Sequence, residues 1–162
     1  MFRDMRRKRQ LLSPEACAAV LEQGTSGVLA VNGDGGFPYA VPLSYVYEGG
    51  RLWLHCAKEG HKMDAIRRDP KVSFCVVDQD QIVPEEYTTY FRSVILFGTA
   101  RILEDEDEVR AAIDALARKY HPAGTQEHRQ AAIDRELPLL CVVELQIEHM
   151  TGKEAIELVR GK

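Results

Sequence analysis

The run from Tyr87 to Leu103 is the longest β-type stretch of the 162-residue chain, dense in aromatic and branched side chains. Residues of this kind favour a pleated, packed strand. Gly98 inside it marks a place for a bulge or a barrel bend. Shorter runs of the same character surround it, each bounded by turn chemistry. Gly27-Val28-Leu29-Ala30-Val31 is followed by Gly33-Asp34-Gly35-Gly36, and Tyr39 to Tyr47 reads as a strand interrupted by Pro42. Glu48-Gly49-Gly50 then leads into Leu52-Trp53-Leu54-His55-Cys56. The three segments read as an antiparallel meander. Val72 to Val77 is the next strand, and Asp78 to Glu86 is polar and loop-like. Near the end, Val143, Leu145 and Ile147 alternate with Glu144, Gln146 and Glu148, which predicts one buried face and one wet face.

Helices are placed by their caps. Ser13-Pro14-Glu15 supplies an N-cap, a proline at the first helical position and an acid in the first turn, and Gly24 offers a left-handed stop. A short helix is expected over Lys62 to Arg68, ended by Asp69-Pro70. Asp105 and Glu108 have capping-box spacing, and Val109, Ile113, Leu116 and Tyr120 recur at helical period until His121-Pro122. A more polar helix fits Glu127 to Arg135, and a tail helix fits the residues from Lys153. About six strands without regular alternation with long helices disfavour a doubly wound parallel sheet. The class expected is mainly β with helices (α+β), an antiparallel barrel in one domain over residues 1–162, with a basic amino-terminal arm over 1–10.

Composition narrows the function. With 45% hydrophobic and 28% charged residues this is a globular chain, and no apolar run reaches the roughly 18 to 20 residues that span a bilayer. The basic amino terminus lacks an apolar signal region, so the cytoplasm is the expected compartment. A net charge of −4 argues against nucleic acid as the main partner. The cluster Arg3, Arg6, Arg7, Lys8 and Arg9 reads as a solvated tail or dimer-edge segment. Cys17, Cys56, Cys75 and Cys141 are widely spaced and read as free thiols, and no CxxC or HExxH suggests zinc.

Three segments carry chemistry. His55-Cys56-Ala57-Lys58-Glu59-Gly60-His61-Lys62 joins a strand to a helix start, where free backbone N–H groups, two lysines and a glycine open to close approach can hold an anion. A solvated turn is the plain alternative. Val41-Pro42-Leu43 marks an edge, either protective or open to a planar heterocycle. Glu85 to Ser93 concentrates aromatics and hydroxyls around Arg92, which needs a carboxylate or a ligand anion. His121 and His128 read as exposed, and His149 as an inward-facing core or interface histidine. His55 and Cys56 are strand neighbours that point to opposite faces, so they cannot act as base and nucleophile. Neither a P-loop nor a GxGxxG motif is present.

These stretches, MRRKRQLL, GTSGVLAV, PYAVPLSYVY, HCAKEGHKMDAIRRDPKVSFCVVDQD, VPEEYTTYFRSVILFGTARIL and IEHMTGKEA, together resemble the Nim-type nitroimidazole-resistance proteins. Those are a branch of the pyridoxamine 5′-phosphate oxidase-like flavoproteins. The resemblance runs nearly the whole chain. It implies an FMN-binding split β-barrel with peripheral helices, forming a homodimer with FMN at the subunit interface. On that basis Val41, Pro42, Leu43, Ser44 and Tyr45 follow the isoalloxazine edge. His55, Cys56, Ala57, Lys58, His61 and Lys62 hold the ribityl chain and phosphate. Arg92 and Ser93 form a second wall from the facing subunit. His55 is the candidate catalytic residue beside the ring, with His61 at the phosphate end. His61-Lys62 stands where true oxidases carry an arginine-lysine pair, and their carboxy-terminal Trp/Arg motif is missing, which argues against pyridoxamine phosphate oxidation. The activity implied is an FMN-dependent oxidoreductase reducing a small electron-poor acceptor such as a nitroaromatic. The alternatives are a non-catalytic FMN-storage module, a haem-binding relative on the same scaffold, or a structural dimer with an empty cleft.

Overall fold

The computed structural model describes residues 1–162. Seven strands, β1 (Gly27–Asn32), β2 (Pro38–Leu43), β3 (Val46–Glu48), β4 (Arg51–Ala57), β5 (Lys71–Val83), β6 (Thr88–Ile102) and β7 (Leu140–Glu154), form one sheet in the order β2-β1-β5-β6-β7-β4-β3. Every pair is antiparallel. Five helices decorate it: α1 (Pro14–Gln23), α2 (His61–Arg68), α3 (Glu106–Tyr120), α4 (Gln126–Glu136) and α5 (Ile156–Arg160). No helix is long and apolar enough to cross a membrane.

The first strands are not the simple meander expected. β2 and β3 are consecutive in the chain yet lie at opposite edges of the sheet. Only Ser44 and Tyr45 separate Leu43 from Val46, a gap of three Cα–Cα steps or at most about 11 Å. The sheet must therefore curl until its two edges meet at this corner. Because β2 and β3 do not pair there, the barrel stays split.

Inside the curl, Leu29, Leu52, Leu54, Phe74, Val94 and Leu145 are almost wholly buried, closed off by Leu21 of α1 and Met63 of α2. Outside it, α3 packs Ile113 and Leu116 over Val46, Trp53 and Val142, forming a second cluster. This cover explains a departure from the predicted wet face of β7. Glu144 is only 2% exposed, because α3 and Arg101 lie above it.

Other departures have equally local causes. Ser13 caps α1 by accepting from the Ala16 N–H, as read, but Gly24 ends the helix at φ −63 and not in a left-handed conformation. Glycine is required there for space, since a Cβ would lie 2.4 Å from Tyr45 Oη. The capping box does not close, because Glu108 pairs with Arg101 while Asp105 caps the Asp107 N–H. Asp78 to Val83 is strand; after an unpaired Asp78, Gln79 to Val83 pair with Thr88 to Arg92 in a two-stranded ribbon that extends the sheet. Cross-strand pairing, not burial, makes it extended. At Gly98 the expected bulge is present: Phe97 pairs with His149 but Gly98 pairs with Ile147. Glu148 is thus the extra residue, and the inward series of β7 switches to Met150, Gly152 and Glu154. His149 consequently faces outward, where it stacks on Phe2 at 4.9 Å.

Candidate functional site

β4 runs into α2 through Lys58, Glu59 and Gly60. Gly60 takes the N-cap position at φ 139, a conformation natural only to glycine, and no side chain caps the helix. The first amides of α2 are therefore open at their amino end. Neither Lys58 nor Lys62 pairs with a carboxylate, since the nearby Asp64 is engaged by Arg67 at 3.7 Å. The Lys58 carbonyl accepts from Arg67 Nη2 at 3.2 Å, which braces the corner. Lys58 and Arg67 also line a groove of about 420 Å³ with Leu103, Glu104 and Cys141. His61 leans the other way. Its ring lies on Tyr39 at 4.1 Å between centroids, and its Nε2 is 3.8 Å from Asp34 Oδ2. The arrangement ties α2 to the β1–β2 turn and leaves Lys62 on the β4 side, where its charge is felt by Cys56.

Strand alternation sorts the remaining predicted residues. His55 and Ala57 are exposed on the outer face, whereas Cys56 is buried, with Sγ 3.3 Å from Met63 Sδ. Burial pushes the Cys56 thiol up to about 11, so it stays protonated and holds β4 to α2. Its side chain cannot line a cofactor site. The same is true of Tyr45, which is fully buried and donates from its hydroxyl to the Leu21 carbonyl at 2.7 Å. Even the Tyr45 backbone is engaged: its N–H donates to Tyr120 Oη, and its carbonyl accepts from Lys119 Nζ and Tyr120 Oη, each at 3.0 Å. Val41 and Leu43 pack inward against the core, leaving Pro42 exposed on edge strand β2 and Ser44 exposed in the corner that follows it.

Arg92 and Ser93 lie far from this corner. Arg92 contacts Asp78 and Glu154, each at 3.2 Å, so its anionic partners are carboxylates of its own chain. Ser93 pairs with Lys153 of β7, whereas His55 pairs with Val142 at the opposite end of that strand. Eleven residues of β7 separate those partners, roughly 36 Å of strand at about 3.3 Å per residue. Within one copy of the chain His55 and Ser93 therefore lie beside opposite ends of β7.

The structure does gather residues that the sequence left apart. Ser44 and His55 open onto a cavity of about 490 Å³ roofed by α3 and α4. Ile113, Leu116 and Ile133 of these helices give it an apolar lining, to which His121, His128 and Arg129 add polar groups. Three of the five histidines of the chain thus share one cavity, although none has a ring in an ion pair. His121 and His128 appear in sequence as helix-end polar residues, and only the seven-residue spacing across the α3–α4 turn hints that they face each other. No cluster of three or more His, Cys, Asp or Glu side chains has the geometry to hold a metal ion.

A family model described as pyridoxamine 5′-phosphate oxidase matches residues 13–154. No curated protein matches the sequence. Among solved structures, the conserved hypothetical protein Rv2991 from Mycobacterium tuberculosis superposes with a TM-score of 0.84 at 22% identity, covering 98% of this chain and 94% of that one. A protein from Bacteroides thetaiotaomicron described as a putative 5-nitroimidazole antibiotic resistance protein gives 0.74 at 23% identity over 89% and 86%. A FAD-binding protein from Mesorhizobium loti gives 0.63 at 25% identity over 90% and 97%.

Proposed function

Because the chain belongs to the pyridoxamine 5′-phosphate oxidase family, we propose that it binds FMN at the β4–α2 corner and passes reducing equivalents to a small electron-poor acceptor such as a nitroaromatic. The observation that carries this reading is an uncapped helix start flanked by two lysines that no carboxylate neutralises. Such a corner fits a phosphate monoester, which takes backbone N–H donors and positive charge together. The flavin named for the Mesorhizobium relative and the resistance named for the Bacteroides relative support the cofactor class and the acceptor class.

The bound flavin would supply the electron-transfer chemistry. Lys58 and Lys62 would hold its phosphate. Pro42, on edge strand β2, and Ser44, in the corner after it, would border the ring, and His55 would stand on the outer face of β4 beside it. His61, held between Tyr39 and Asp34, fixes the direction in which α2 presents its amides. Arg92 and Ser93, which pair at the far end of β7 from His55, would reach the ring from a second copy of the chain. Homodimerisation also covers the outer sheet face, where Val28, Val77, Ile95 and Phe97 are exposed.

The absorbance spectrum of the purified protein, before and after FMN addition and gel filtration, tests the reading. A retained flavin spectrum at one FMN per chain is expected, followed by oxidation of the reduced cofactor when a nitroimidazole is mixed in. A protein that retains no FMN overturns the assignment, and one that retains it but transfers nothing is a flavin-storage module.

A further inference from the structure

Helices α3 and α4 are the longest excursion between two paired strands, and a half-open cavity lies against them. Their mutual position is fixed by polar clamps. Arg129 Nε donates to Asp114 Oδ1 at 2.6 Å, and Gln130 Nε2 donates to the same oxygen at 3.3 Å. Tyr120 Oη and Lys119 Nζ fasten α3 to the Tyr45 carbonyl at the split corner. The cavity beneath is therefore preformed. Its volume of about 490 Å³ lies in the usual range for small-molecule pockets of about 300 to 1,000 Å³.

The polar atoms of the lining are unequally committed. Tyr120 Oη is used by Thr25 and Tyr45 carbonyls. Arg129 spends Nε on Asp114 and Nη1 on the Gly124 carbonyl. Glu136, the one carboxylate in the lining, lies 3.5 Å from Arg135. The imidazoles of His55, His121 and His128 have no polar side-chain partner and can donate. Two of them are held as a pair. Their rings are edge to face at 6.4 Å between centroids. A Cβ on Gly124 would come within 2.6 Å of His121 Cδ2, so the glycine lets that ring lie over the turn. Thr125 Oγ1 caps α4 by accepting from the His128 N–H at 3.1 Å.

We propose that this cavity is the acceptor site, and that it takes a flat molecule of one or two rings whose edge carries hydrogen-bond-accepting oxygens, as a quinone or nitro compound does. The apolar side chains of Ile113, Leu116 and Ile133 receive the ring, and His121 and His128 bind the oxygens. The inference rests on the flavin reading above, because Ser44 and His55 belong both to the proposed flavin border and to this cavity. It assigns the α3–α4 pair a role in choosing the acceptor and none in holding FMN.

The test is a titration of FMN-loaded protein, carrying isotope-labelled histidine, with menadione. The imidazole NMR signals of His55, His121 and His128 are expected to shift and saturate together, while those of the distant His149 stay fixed. His121→Ala and His128→Ala are each expected to weaken menadione binding roughly three- to tenfold, the loss of one neutral hydrogen bond, with the FMN spectrum unchanged. Absence of saturable binding, shifts confined to His149, or wild-type affinity in both variants overturns the proposal. The same titration without FMN separates the two readings. Menadione bound by a chain that refuses FMN keeps the cavity and sinks the flavin assignment, whereas FMN binding without histidine shifts sinks the cavity alone.

Discussion

The indole N–H of Trp53 donates to Glu144 Oε2 at 2.8 Å beneath α3, where both side chains are more than nine-tenths buried. Arg101 Nη2 donates to the other carboxylate oxygen at 3.1 Å, and no buried side-chain polar atom lacks a partner. Glu144→Ala strips the acceptor from both donors and leaves the indole N–H buried and unpaired. A loss of about 2 to 4 kcal/mol in unfolding free energy is expected. Glu144→Gln keeps an oxygen for Trp53 and should cost less. Urea unfolding with an unchanged m-value measures both.

Acid should weaken the fold through three carboxylates. Burial alone would raise Glu144, Glu154 and Asp114, but Trp53 and Arg101, Lys162 and Arg92, and Arg129 and Arg118 respectively outweigh it and hold each below its ordinary value. The unfolded chain therefore binds protons at a higher pH than the folded one. Stability from these groups is complete above the ordinary values of 4.5 for Glu and 3.8 for Asp, and is lost as pH falls through the lower folded values. Unfolding free energy measured against pH should be flat into mild acid and then drop. In Glu144→Gln the drop should be shallower, and an identical profile would show that Glu144 has no part in it.

The two lysines at the α2 start give a ligand-level prediction. Lys62→Ala should weaken FMN binding by about 1.5 to 3 kcal/mol, as expected for a hydrogen bond to a charged group. Riboflavin, which lacks the phosphate, should bind the variant and the parent almost equally. Calorimetric titration with both ligands decides the matter, because an equal loss for each means that Lys62 acts through the fold.

Gly24 offers a test of close packing without any ligand. A Cβ there would lie 2.4 Å from Tyr45 Oη and 2.8 Å from Val76 Cγ1, so Gly24→Ala must displace the hydroxyl from the Leu21 carbonyl. A loss of about 1 to 3 kcal/mol is expected from overpacking. Tyr45→Phe removes both the hydrogen bond and part of the clash. The double variant should therefore lose less than the sum of the singles in thermal unfolding, a coupling that independent sites do not show.

The sequence exposed the strands wherever a branched or apolar run is bounded by turn residues, as at Gly27 to Val31 and Val72 to Val77. It could not expose the ribbon of Asp78 to Val83, whose extended form comes from pairing with Thr88 to Arg92 and leaves no alternation to read. Nor did it reveal that Tyr45 and Cys56 turn inward, because a two-residue corner and a register set by distant β7 decide their faces. The anion corner was legible because glycine, lysine and a helix start are contiguous in the chain. The histidine-walled cavity was not, since His55 and His128 meet only after α3 and α4 fold back over β4.

The outer sheet face carries the last prediction. Cross-strand pairing sets Val28 beside Cys75, Cys75 beside Ile95 and Ile95 beside Thr151, and a neighbouring row sets Ser73 beside Phe97. Ile95 is 43% exposed and Phe97 40%, and Phe2 of the basic arm reaches only the Phe97 end of this strip. An isologous contact between two such faces would bury the strip, and in the proposed site Arg92 and Ser93 of one copy would meet the β4–α2 corner of the other. Ile95→Glu alters a side chain that points away from its own core, so the monomer should fold with little change in thermal stability. It should elute at the mass of one chain, 18.3 kDa, where the parent is expected at twice that. FMN affinity should fall by about tenfold or more, because the second wall of the site leaves with the partner. A variant that remains dimeric and keeps its flavin would place the contact on another face, and a monomeric variant with undiminished FMN affinity would remove Arg92 and Ser93 from the site.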